Sequence, residues 1–300
     1  MLNIVGRRNM YFAISAVAVG AAIAAIAFFG FKEAVDFSGG TLWQFRVSGE
    51  NSAVSDIKKI FQTNFAHEEV AISYDEQNNV LLARLKEINE SDHQEFSKIL
   101  KGKFGSFQEL SFQSIGPSIG SELRKNAVIA MMLAFIGISL YIAYAFRKAS
   151  RPISSWKYGV VTLITLFHDV AIPAGLLAFL GHQLNVEIDG NFVVALLVVV
   201  GFSVHDTIVV FDRIRENLIL NRGRLKFAEI INESVNQTLA RSINTSLTLI
   251  LVLISLYFVG PTNLQYFILT LVVGVTTGIY SSIFIASPGL LLVGGKSAKS

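Results

Sequence analysis

The chain is 300 residues long, 52% hydrophobic and 16% charged, with a net charge of +3 and no cysteine. Soluble domains carry nearer about a quarter charged residues; here the apolar excess comes in blocks, which marks an integral membrane protein. The absence of cysteine excludes disulfide frameworks, thiol nucleophiles and Cys-based zinc sites, and so small a charge does not suggest nucleic acid as a partner.

Residues 10–31 form the first of six predicted spans, preceded by Arg7 and Arg8. The apolar run is about 20 residues, longer than a signal-peptide core of about 7–15, and no A-x-A-like cleavage site follows, so it reads as a retained anchor. Residues 32–124 have the hydrophobicity of a soluble domain. Alternating runs at 41–47, 70–74, 79–85 and 107–115 predict strands. Amphipathic stretches at 52–65 and 91–104 predict helices with Ser52 and Ser91 as N-caps, and Asn78-Asn79 predicts a hairpin turn. The order β-α-β-β-α-β is a ferredoxin-like plan. Further spans are predicted near 126–146, 157–181, 191–211, 241–260 and 264–286, a five-helix bundle over 125–290 followed by a tail at 291–300.

Basic residues fall in alternate connections: Arg7 and Arg8; Arg147, Lys148, Arg151 and Lys157; Arg213, Arg215, Arg222, Arg224 and Lys226; Lys296 and Lys299. The loops at 182–190 and 260–263 hold neither Lys nor Arg. The positive-inside rule then puts both termini in the cytoplasm and residues 32–124 outside it.

An ionisable side chain at membrane depth costs at least about 2–3 kcal/mol and so needs a partner or a purpose. On the fourth span Ser203, Asp206, Thr207 and Val210 recur at i, i+3, i+4 and i+7, and Arg241, Asn244, Thr245 and Thr248 do the same on the fifth. Each polar stripe is expected to turn inward, toward protein or water. A desolvated carboxyl prefers its proton, whereas a nearby guanidinium prefers it ionised. Arginine cannot itself titrate, so Asp206 with Arg241 predicts a proton relay; a permanently paired packing acid is the alternative. Asp169, four residues before Pro173, admits a relay role or a structural one beside the backbone groups the proline frees. His205 suits an interhelical hydrogen bond or proton shuttling. Consecutive helical residues diverge by about 100°, so neither His168-Asp169 nor His205-Asp206 easily chelates one metal, and no metal site is expected. Gly274 and Gly278, with Thr270, Thr277 and Ser281, predict close packing of the sixth span on another helix. Asp36, Gly39 and Gly40 at one end of the soluble domain, and Gly116, Pro117 and Gly120 in a constrained turn at the other, read as hinges or as shapes the junction requires.

Four segments, VDFSGG (35–40), SIGPSIGSEL (114–123), GFSVHDTIVVFDRIREN (201–217) and VNQTLARSINTSLT (235–248), together with FHD at 167–169, carry a family likeness. In them the chain resembles the SecF proteins, the smaller partners in bacterial SecD–SecF complexes of the RND superfamily. The resemblance implies an RND-type half: six transmembrane helices with a small α+β ferredoxin-like extracytoplasmic domain between the first and second. It implies a multi-pass protein of the cytoplasmic (inner) membrane, not an enzyme and without a cofactor, that uses the proton-motive force to assist secretion through the SecYEG channel. An obligatory SecD homologue would add six more helices, packed through the small-residue faces. YajC and YidC would be accessory partners and a translocating preprotein the client. The family's relay aspartate falls on Asp206 and its arginine on Arg241. Departures are His205 where the family usually has asparagine and Ser242 where threonine is common. Competing readings are an intramembrane aspartic protease using Asp169 and Asp206, against which the glycine-x-glycine-aspartate shape is missing; an ordinary RND exporter, which would have about twice the helices; and a passive scaffold.

Overall fold

A computed structural model describes residues 2–47, 52–65, 70–75, 79–149, 153–221 and 224–294. Asn78, Arg151, Arg222, Lys296 and Lys299 lie outside the described residues, as does the side chain of Lys148. Two compact units emerge, Met1–Lys32 with Ile129–Ser300, and Glu33–Val128. Among the described residues, six helices are long and apolar enough to cross a membrane.

The first, α1 (Arg8–Phe29), follows one 3₁₀ turn and stops at Gly30, whose φ of 67° a side chain would resist. The small unit then runs α2 (Val35–Ser38), β1 (Gly40–Val47), α3 (Ser52–Phe65), β2 (Ala71–Asp75), β3 (Val80–Leu85), α4 (Glu90–Phe104) and β4 (Phe107–Ile115). Its sheet has the order β2-β3-β1-β4 with every neighbouring pair antiparallel, the ferredoxin-like plan. Alternation along β1 turns Trp43 and Phe45 into the core, both fully buried. Phe45, Phe61, Phe96, Phe107 and Phe112 ring the Trp43 indole, whose N–H donates to Glu109 at 3.1 Å. Trp43→Ala should therefore cost about 3–5 kcal/mol, read as digestion between residues 33 and 128 at a lower temperature than in the parent.

One expected cap shifts. Asn89 caps α4, its Oδ1 accepting from the Asp92 amide at 2.9 Å and from the Ser91 hydroxyl at 2.6 Å. An amide oxygen one residue outside the helix reaches an orphan N–H better than Ser91, already in the first turn. Ser52 opens α3, and its side chain lies outside the described residues. Asn79 takes φ 53° just before β3, the left-handed region that asparagine tolerates.

The second long helix, α5 (Pro117–Ala145), starts well before the expected 126. Pro117 is its first residue, where the missing N–H is no loss, so Gly120 lies within the helix and not in a turn. Then come α6 (Trp156–Leu184), α7 (Gly190–Asn221), α8 (Phe227–Val259), α9 (Gln265–Ser281), a wide π turn (Ser282–Ala286) and α10 (Ser287–Gly294). The long α7 and α8 carry the chain past its apolar stretches. Arg213 and Arg215 thus sit on a helix, paired with Glu216 at 2.6 Å and Asp212 at 3.1 Å. Within this unit α6 packs on α1, α7 and α9, and α8 packs on α7 and α9.

One contact has no counterpart in the sequence reading. The segment Leu2–Val5 lies across α8 and is held by two asparagines a turn apart. Asn232 Oδ1 accepts from the amides of Ile4 (2.9 Å) and Val5 (3.2 Å), and Asn236 Oδ1 accepts from that of Leu2 (2.8 Å). Both carboxamides also donate to the Leu2 carbonyl, at 3.0 and 2.9 Å. Ile4 and Val5 are buried in the same core cluster as Phe146, Tyr158, Phe211 and Ile231.

Candidate functional site

The bundle closes around small residues. A Cβ added to Gly274 would collide with Val199, and one on Gly278 would lie 3.2 Å from the Ser203 Cβ, so α9 lies directly against α7. This corrects the expectation that a partner packs through that face: α7 of the same chain already fills it. The approach brings hydroxyls onto Asp169, which is wholly buried on α6. Its Oδ2 accepts from Ser203 Oγ of α7 at 2.5 Å and from Ser281 Oγ of α9 at 2.7 Å. Its Oδ1 is 2.8 Å from Nδ1 of His168, whose Nε2 is 3.1 Å from Ser15 Oγ of α1. Serines of two neighbouring helices and the histidine beside it on α6 therefore hold this acid, and among the described residues its carboxylate takes no hydrogen bond from a backbone group near Pro173. The divergence of successive helical residues does not separate His168 from Asp169 either, because an imidazole is long enough to turn back onto its neighbour.

Asp206, one turn beyond Ser203, is also buried. Its Oδ2 accepts from Ser246 Oγ of α8 at 3.2 Å. Beside it the Thr207 and Ser282 hydroxyls are 2.8 Å apart, at the start of the π turn where two successive serines face inward. Such widened turns recur at functional sites. No cationic side chain lies within ion-pair distance of Asp206 among the described residues. Asp169 and Asp206 are each met by hydroxyls of other helices, Ser203 and Ser281 for the first and Ser246 for the second.

The expected inward stripe of α8 is corrected. Arg241, Asn244 and Thr245 are exposed, whereas Ser242 and Ser246 are buried. α8 contacts its neighbours through Thr238, Ser242, Ser246 and Leu253, a stripe rotated by about 100° from the Arg241 one. Four-residue steps of small hydroxyls let the helices approach closely, and a guanidinium does not fit there. Arg241 also sits near the middle of α8, which starts at Phe227 and not at 241. His205 is exposed on α7. Within this chain, then, Asp206 and Arg241 are not brought together. The Ser242 hydroxyl is buried without a hydrogen-bond partner.

In the small unit the junction residues do converge. Gly39 has φ 74° and ψ 167°, and Gly40 has φ 117°. A Cβ on Gly39 would sit 2.7 Å from the Pro117 Cα; one on Gly120 would sit 2.9 Å from the Gly39 nitrogen and 3.0 Å from the Phe37 carbonyl oxygen. One on Gly40 would meet the Leu85 oxygen at 2.9 Å and one on Gly116 the Glu87 carboxylate at 3.1 Å. Gln113 Nε2 donates to Asp36 at 2.5 Å, and Arg124 pairs with Glu33 at 3.0 Å. Entrance and exit thus cross backbone on backbone, which explains the glycines by steric need.

Ser15, Ser242, Ser246, Ser281 and Ser282 belong to the buried polar seam, yet the sequence reading gave none of them a part in it. Only the four-residue step from Thr238 through Ser242 to Ser246 signalled it; isolated hydroxyls on apolar helices look like ordinary packing.

A family model described as protein export membrane protein SecD/SecF, C-terminal, matches residues 95–296. The chain is 42% identical, over 98% of its length and 93% of the relative's, to a protein translocase subunit SecF of Thermobaculum terrenum. It is 35% identical, over 86% of its length, to the protein translocase subunit SecDF of Thermus thermophilus, of which it covers 34%. A crystal structure of SecDF from Thermus thermophilus, described as a translocon-associated membrane protein, superposes with a TM-score of 0.79 at 33% identity. That match takes in 97% of this chain and 38% of the other, so the chain spans little more than a third of SecDF.

Proposed function

This chain belongs to the SecD/SecF family of protein-export membrane proteins, and from that premise we propose that it is a SecF-like translocase subunit, driven by protons and paired with a SecD homologue. Its relatives are translocase subunits, and in SecDF the similar region is about a third of a longer chain, which supports a role in protein translocation and a SecD-type partner.

One observation carries the mechanism: the bundle's charges are incomplete in complementary ways. Asp206 is buried with a hydroxyl and no cation, while Arg241 stands exposed on an apolar stretch of the adjacent helix. A guanidinium facing lipid costs at least about 2–3 kcal/mol, so partner helices cover it and supply its counter-charge. Asn244, Thr245 and His205 share exposed positions on the same two helices, and they form the polar part of that surface. Helix motion that brings the guanidinium nearer Asp206 favours the carboxylate, and its withdrawal favours the acid. Alternating the two loads a proton on one side and releases it on the other. Ser203 and Thr207 line the route. The junction at Gly39, Gly40, Gly116 and Gly120 transmits the movement to the 33–128 unit. That unit lies outside the cytoplasm, engages the emerging preprotein, and works with SecYEG, YajC and YidC at an inner membrane whose cytoplasmic face holds both termini.

Purification from mild detergent tests the assembly. A SecD homologue and channel subunits should come down with the chain, and Arg241→Leu should lower the SecD yield several-fold. Recovery of the chain without SecD, or a yield indifferent to Arg241, ends this reading.

A further inference from the structure

His168 is fully drawn into the seam and has no part in the relay just described. Its titratable neighbours are Asp169 on its own helix and the Tyr280 phenol of α9, whose ring stacks on the imidazole with centroids 6.2 Å apart. α1 presents only the Ser15 hydroxyl to it, and α7 presents Ser203 to the same carboxylate. Among the described residues no basic side chain bonds either member of the pair.

We propose that His168, seated between Asp169 and Ser15, is a proton-operated latch for α1. The inference rests on the proton-driven reading above and deepens it. In the neutral imidazole Nδ1 carries the hydrogen toward Asp169, leaving Nε2 to accept from the Ser15 hydroxyl. Adding a proton makes both ring nitrogens donors. Ser15 must then accept, and its own hydrogen turns away. A helical serine with no outward acceptor bonds back to the carbonyl four residues earlier, here that of Tyr11. That carbonyl already takes the Tyr280 hydroxyl of α9 at 3.0 Å, a second polar tie on α1 beside the one from His168 of α6. One proton on His168 therefore resets both polar attachments of α1. Because α1 leads directly through residues 30–32 into the Glu33–Val128 unit, the latch joins the charge state of the seam to the helix from which that unit hangs. His168 is a positioning residue in this account: it sets α1, and Asp206 carries the current.

The test uses the SecD-paired complex in lipid with 15N-labelled histidine. On lowering the pH, His168 should pass from Nδ1–H alone to both nitrogens protonated over one resolvable interval, its resonance identified by loss in His168→Gln. Ser15→Ala should displace that transition measurably along the pH axis, and Ser15→Thr should restore it. Proton flux in His168→Gln should lose its dependence on pH over the same interval, which a packing role would not change. If His168→Gln does not assemble, Ser15→Ala decides by itself. An imidazole that keeps one protonation state throughout, or a midpoint indifferent to Ser15→Ala, overturns the latch. Flux that survives Asp206→Asn overturns the relay instead, so the two failures are told apart.

Discussion

Asp206→Asn in the SecD-paired complex will cut proton-driven export at least about tenfold, an added barrier of about 1.4 kcal/mol or more, while the complex still assembles. The substitution is nearly isosteric. The carboxamide oxygen can keep accepting from Ser246, whose hydroxyl lies 3.2 Å from the native Oδ2. Only proton uptake and release is lost. The stability change stays within about 1 kcal/mol, because the buried site keeps its hydrogen bond and sheds a desolvated ionisable group. Export into inverted vesicles, with and without an imposed proton gradient, is the measurement. Ser246→Ala supplies a graded comparison: it removes the hydroxyl and keeps the acid, so it should weaken export without abolishing it. A normal gradient response in Asp206→Asn would leave the seam as packing and no more.

Gly39→Val will unfold the small unit or destabilise it by at least about 3 kcal/mol. Two independent costs combine. With φ 74° and ψ 167°, Gly39 occupies a region open almost only to glycine. The new Cβ would also lie 2.7 Å from the Pro117 Cα, where backbone and not a pliable side chain stands in the way. Gly102→Ala is the contrast within the same unit: it sits in α4 with nothing within 4 Å of an added Cβ, and should stabilise slightly, by up to about 1 kcal/mol. Protease resistance of residues 33–128 in the membrane-embedded protein ranks the two. A hinge that merely flexed would tolerate Gly39→Val with modest loss; a crossing of backbones would not. Equal resistance of the two variants would refute the steric account.

These residues also show what the sequence made legible. The ferredoxin-like order could be read because each strand alternates cleanly and each helix is amphipathic, so period alone names the element. Helix ends were less legible: Asn89 displaced Ser91 as cap, and Pro117 opened α5 some nine residues early. The α7 stripe of Ser203, Asp206 and Thr207 could be found because its three polar residues recur at helical spacing on one face of an otherwise apolar stretch. α8 carries two polar stripes about 100° apart, and the one bearing the charge drew attention. Burial went to the other, Ser242 and Ser246, because tight helix packing selects small hydroxyls over a guanidinium. A single chain's sequence states which residues want company. It does not say which of them find it inside the same polypeptide.

The segment clamped by Asn232 and Asn236 carries a consequence for biogenesis. Leu2–Val5 emerges from the ribosome ahead of the six long helices described above, yet the carboxamide that receives the Ile4 amide lies 228 residues downstream. At ordinary elongation rates that is a wait on the order of ten seconds, during which Ile4 and Val5 have no pocket and α1 no firm seat. A segment made before all six of these helices is among the last to dock. A bulky fusion placed just upstream of Leu2 would obstruct that late closure even though every span had inserted correctly.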